Sequence, residues 1–152
     1  GGLLEEEFPM SIAHDLAAKA QTAFNARDEA GLRALWTDDF HFVGPATEFR
    51  GAERMLEQER NLWAAFPDVR SSVRVVCAEG DVVVFETTMT GTHTGPLRLG
   101  ERTLAPSGRP VDLRISVHLF LKDGRVCGER AFLDQLGLLQ QIGALPALAP
   151  AA

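Results

Sequence analysis

The chain predicts an α+β fold with helices first and a sheet after, and three observations carry that prediction. Apolar residues recur at helical spacing through the first half. Near Val69 the period changes from about 3.6 to about 2, and the strands that follow are joined by short turns bearing Gly and Asp. Helices ahead of a run of antiparallel strands bury their apolar stripes by packing on one face of a bent sheet. At 152 residues the chain fits one domain, read as 10–143, with 1–9 and 144–152 as flexible ends.

Residues 11–26 set Ile12, Leu16, Ala20, Ala23 and Phe24 at helical intervals behind Ser11, an N-cap residue type. A short helix over 29–36 follows, with Asp28 as its cap, and then a short strand over 40–43 ended by Gly44 and Pro45. Residues 51–66 form an amphipathic helix that buries Met55, Leu56, Leu62, Trp63 and Phe66, and Pro67 stops it. Strands over 69–78 and 82–92 flank the Gly80-Asp81 turn, while 97–110 reads as a polar loop. Two last strands, 111–121 and 125–133, lead into a short helix over 135–142.

Composition narrows the function. A net charge of −6 argues against nucleic acid as a partner, because phosphate binding needs clustered Lys and Arg. No window approaches the roughly 18 apolar residues of a membrane span, and no basic-then-apolar leader opens the chain, so the expectation is a cytoplasmic protein without membrane contact. Cys77 and Cys127 read as buried free thiols, which suits a reducing compartment. With no CxxC or HExxH pattern and four scattered histidines, no metal site is expected. GxSxG, P-loop and dinucleotide fingerprints are missing, and there is no tyrosine to act as an oxyanion donor. An enzyme of this composition would rely on acid/base chemistry with no cofactor.

Strand parity locates the candidates, because side chains two apart share a face. Val83, Phe85, Thr87, Met89 and His93 share the more apolar face of their strand, the one expected to meet the helices. On the last strand Val126, Arg130, Phe132 and Asp134 share a face, and on its neighbour so do Arg114, Ser116, His118 and Phe120. Whether His118 and Asp134 point the same way depends on the turn. A three-residue loop over 122–124 puts them on one face and a two-residue Asp-Gly turn on opposite faces; the first groups the polar positions and is the expected one. Asp134 is read either as an idle N-cap for the last helix or as a general acid/base raised by desolvation. Phe85, Met89, Phe120, Phe132 and Trp63 are the candidate apolar lining, and His93, His118 and Arg130 the candidate donors.

Several stretches in their order, AFNARDEAGLRALWTDDF, FPDVR, GTHTGPL, PSGRPVDLR, FLKDGRV and ERAFLDQLGLLQQIG, resemble the SnoaL-like polyketide cyclases of the NTF2-like superfamily. The resemblance spans residues 10–143 and implies a cone of curved sheet wrapped by helices around one pocket, as a homo-oligomer (dimer or tetramer). It implies an aspartate, matched here by Asp134, as acid/base in intramolecular aldol closure of an aromatic polyketide ester, without metal or cofactor. A pocket histidine is also implied, with His118 the better match and His93 the other. Two further readings stand beside it: a hydroxylase working with a short-chain reductase partner, NADPH and oxygen, and a non-catalytic protein that binds a hydrophobic small molecule.

Overall fold

The computed structural model describes residues 3–145, so 1–2 and 146–152 of the expected flexible ends lie outside the described residues. Four helices and a six-stranded sheet build the fold: α1 (Leu3–Ala26), α2 (Glu29–Leu35), β1 (Trp36–Gly44), β2 (Thr47–Arg50), α3 (Ala52–Ala65), β3 (Arg70–Glu79), β4 (Val82–Thr92), β5 (Leu97–Leu99), β6 (Arg102–Leu104), β7 (Pro110–Lys122), β8 (Arg125–Leu133) and α4 (Gln135–Gln141). The main sheet runs β2-β1-β8-β7-β4-β3, antiparallel except for the parallel β1–β8 pair. Its inner face and the apolar sides of α1, α2 and α3 form one core that contains Phe24, Leu32, Phe40, Met55, Phe66 and Val83.

Helix α1 begins ahead of the expected Ser11 cap and continues through it. It covers the outer edge of β3, where an exposed row of backbone donors would invite pairing with another chain. The Asn25 amide donates to the Ser71 carbonyl at 2.9 Å and accepts from the Ser71 N–H at 2.8 Å, while Gln21 accepts from Val73 N–H at 2.8 Å. The segment expected to be a polar loop contains a hairpin, β5–β6, whose Leu97 is buried. Gly95 docks the neck of this hairpin on α3, its N–H donating to the Ala65 carbonyl at 3.0 Å. A Cβ at Gly95 would lie 1.8 Å from the Ala64 carbonyl oxygen, so this approach requires glycine.

Bulges set the facing of the strands. In β3 the register shifts between Val75 and Cys77, which leaves Val76 unmatched and turns Cys77 outward; both cysteines are free, but Cys77 is exposed and not buried as expected. The β7–β8 turn is the two-residue form, contrary to expectation: Lys122 pairs with Arg125, and Asp123 and Gly124 have φ of 51° and 75°. A bulge then follows, with Leu121 opposite Val126 but Phe120 opposite Gly128, leaving Cys127 as the extra residue. Turn and bulge together bring His118 opposite Arg130 on one face. That face is the outer one.

Candidate functional site

Between the helices and the inner face of the sheet lies a cavity of about 720 Å³, a size that suits a small organic ligand. Phe85, Thr87 and Met89 of β4, the odd-numbered residues from Leu113 to Leu119 of β7, and Val126, Ala131 and Leu133 of β8 make its sheet wall. Leu16 and Phe24 of α1 and Met55 and Leu62 of α3 make the helix wall, and Leu97 and Leu99 of the β5–β6 hairpin border it on one side. These positions follow from alternation on β4 and β7, from alternation reset by the bulge at Cys127 on β8, and from an i, i+4, i+7 stripe on α3.

Three carboxyls interrupt this lining: Glu57, exposed at its rim, and two less exposed ones, Glu59 from the helix wall and Glu129 from the sheet wall. On β1 the residue opposite Glu129 is Phe42, which also lines the cavity. Burial pushes the Glu129 carboxyl up to about 7. Burial, with the nearby charge of Glu129 as the second cause, pushes Glu59 up to about 8. The physics is that of a carboxylate removed from water without a cation to replace it. Both carboxyls are therefore raised toward the neutral range, where a coupled pair can share a proton.

The sequence contained a signal for each. Glu59 falls on the buried stripe of α3, in line with Met55, Leu62 and Phe66, where a charged residue is out of place. Glu129 was hidden by the bulge at Cys127, because strict alternation from Val126 assigns it to the wrong face.

The structure separates the residues singled out from the sequence. Phe85 and Met89 line the cavity. Asp134 does not: its side chain is exposed, accepts the Gly137 N–H at 2.8 Å as the N-cap of α4, and borders a shallow depression of about 270 Å³ with Asp112, Arg114 and Gln141. Its apolar sequence neighbours point elsewhere, so the expected desolvation is missing. His118 packs at a tilt against Phe132 with ring centroids 5.1 Å apart, and Arg130 lies 5.4 Å over the Phe120 ring, all on the outer face; Phe132 is 55% exposed. Trp63 packs 5.6 Å from Phe24 under the Arg27 guanidinium, outside the cavity lining.

His93 is buried and lies outside the cavity lining. Its Nδ1 lies 2.9 Å from the Ser107 hydroxyl and accepts the Ser107 N–H at 3.2 Å, while its backbone bonds to Gly108 and Arg109 close the neck of the β5–β6 hairpin. Burial holds its imidazole below the ordinary histidine value, with the Gly95 backbone opposing. Among the described residues, no three His, Cys, Asp or Glu side chains converge as metal ligands would, and no helix is long and apolar enough to cross a membrane.

The family model for SnoaL-like polyketide cyclases matches residues 14–142. The chain belongs to that family. Among solved structures, a proposed SnoaL-like polyketide cyclase from a Jannaschia species is 26% identical with a TM-score of 0.78, over 90% of this chain and 94% of that one. AclR, a proposed hydroxylase from Streptomyces galilaeus, is 26% identical with a TM-score of 0.76, over 91% of this chain and 85% of that one. IdmH, a proposed polyketide cyclase from Streptomyces antibioticus, is 27% identical with a TM-score of 0.70, over 86% of this chain and 98% of that one. A search of the curated proteins found no match. The helices, the curved and mostly antiparallel sheet and the cavity between them are those of an NTF2-like cone, and a SnoaL-like family member has a polyketide-related role.

Proposed function

We propose that this protein catalyses intramolecular aldol cyclisation of an aromatic polyketide, with Glu129 as the general base and Glu59 as the general acid. The observation that carries the reading is the Glu59–Glu129 pair inside a cavity whose walls are mainly apolar. One member of the raised pair, assigned here to Glu129, is ionised and takes a proton from an activated methylene. Glu59 keeps its proton and gives it to the oxygen that becomes negative as the carbon–carbon bond forms. Glu129 gains one proton and Glu59 loses one, so exchange between them or through water restores the starting state and the net reaction is an isomerisation. The cavity walls contribute by holding a flexible chain folded for attack.

Asp134, the position matched by resemblance, is replaced in this proposal because an exposed capping carboxylate reaches nothing in the cavity. The decisive experiment compares Glu129→Gln and Asp134→Asn on a linear polyketide ester. Loss of cyclised product with the first and retention with the second is the expected result; retention with both sinks the proposal. Similarity to AclR supports one other reading, a hydroxylase with a reductase partner. Product that forms only with reductase, NADPH and oxygen would select it.

A further inference from the structure

The exposed members of the cavity lining mark where the cavity opens. They are Ala46 and Thr47 of the β1–β2 turn, Arg54 and Glu57 on α3, and Arg98 and Gly100 on the β5–β6 hairpin. We propose that this mouth reads an anionic group, a carboxylate or a phosphate, on the outward end of the ligand, with Arg54 and Arg98 as the specificity-determining residues. The inference rests on the cavity being the small-molecule site proposed above.

Three observations carry it. First, Arg54 on α3 and Arg98 on the β5–β6 hairpin are the only cationic side chains among the described residues lining the cavity, so they outnumber the one exposed carboxylate of its mouth, Glu57. Second, neither guanidinium is in any of the ion pairs found among the described residues, although Arg33, Arg60 and Arg74 are. Arg54 is held instead by the Phe49 ring, 5.4 Å below its guanidinium carbon, an arrangement that orders the side chain and leaves its donors unused. Third, the inner end of the cavity carries Glu59 and Glu129, whose burial already disfavours negative charge there. An anion placed beside them would be both desolvated and repelled. A ligand that carries one has a single orientation available, neutral rings inward and anion outward. That orientation brings neutral ketones and methylenes to the two carboxyls and uses the charge for register, which is what a cyclase needs to choose one ring closure among several.

Titration calorimetry of the full chain at neutral pH, with anthraquinone-2-carboxylate and its methyl ester as matched probes, tests this. The acid is expected to bind about tenfold more tightly than the ester, with a preference that shrinks as salt is raised. Arg54→Gln with Arg98→Gln is expected to bring the acid down to the level of the ester. Arg98→Glu alone, at an exposed hairpin position, gives the same direction should the double variant fold poorly. Competition by millimolar inorganic phosphate would identify a phosphate-bearing ligand, and acid preference without such competition a carboxylate. Equal binding of the two probes, or a preference that survives both variants, would overturn the inference. Binding does not depend on turnover, so a preference for the acid in a protein that cyclises nothing would retain the mouth and discard the cyclase reading. Failure of both probes to bind would overturn the mouth even if Glu129-dependent cyclisation is found.

Discussion

Glu129 and Asp134 stand near each other at the end of the same chain segment and have opposite fates. Glu129 points through the inner face of β8 into an apolar cavity, and burial holds its carboxyl up to about 7. Asp134, one residue past the strand, turns to the surface and caps α4 through the Gly137 N–H. In the sequence Asp134 has the more apolar neighbours, with Phe132, Leu133 and Leu136 around it, yet Phe132 and Leu136 are themselves exposed. Neighbours in sequence do not make an environment. The direction of the side chain does.

The contrast can be broken most forcefully at the pair itself. Glu129→Gln is expected to lower kcat about 10²- to 10⁴-fold with the fold intact, as measured by steady-state cyclisation and circular dichroism. Glu59→Gln is expected to cost less, roughly 10- to 100-fold, and to remove the alkaline limb of a bell-shaped rate profile whose limbs lie at about 7 and about 8 in the wild type.

The same two carboxyls make stability depend on pH. Both have native values raised above their ordinary 4.5, so the folded state binds more protons than the unfolded one between about 4.5 and about 8. Stability is therefore expected to fall as pH rises through that window. The decline is of order 2 kcal/mol once solvent reaching the cavity is allowed for. Urea titrations at pH 5 and 8 are expected to show it, and to show it reduced in Glu129→Gln.

Asp134→Ala is expected to cost about 1 kcal/mol of stability, and Asp134→Asn less, both with kcat unchanged. The smallest effect belongs to the outer face. His118→Ala, which removes a ring packed at a tilt against the exposed Phe132, is expected to change kcat less than twofold and stability by about 0.5 kcal/mol. A loss of activity there would move the functional face of the sheet.

Much of this architecture was legible in the residues. The helices over α2 and α3, the four long strands and the apolar face of β4 follow from periodicity, and Asp28 and Asp134 cap the helices that begin after them. Family membership was legible in the order of weak motifs. Glu59 was legible too, as an acid on an apolar stripe. What periodicity could not supply was the bulge at Cys127, because one extra residue leaves composition untouched while reversing the facing of every residue beyond it. It turned Arg130 and Phe132 outward and Glu129 inward. The β5–β6 hairpin was equally hidden, since its anchoring by Gly95 and His93 is made across the fold, to α3 and to residues 107–109. The sequence by itself determined α2, α3 and the four long strands, because that information is local. Only the tertiary structure decided which carboxylate is dry, because register and burial depend on contacts between distant segments.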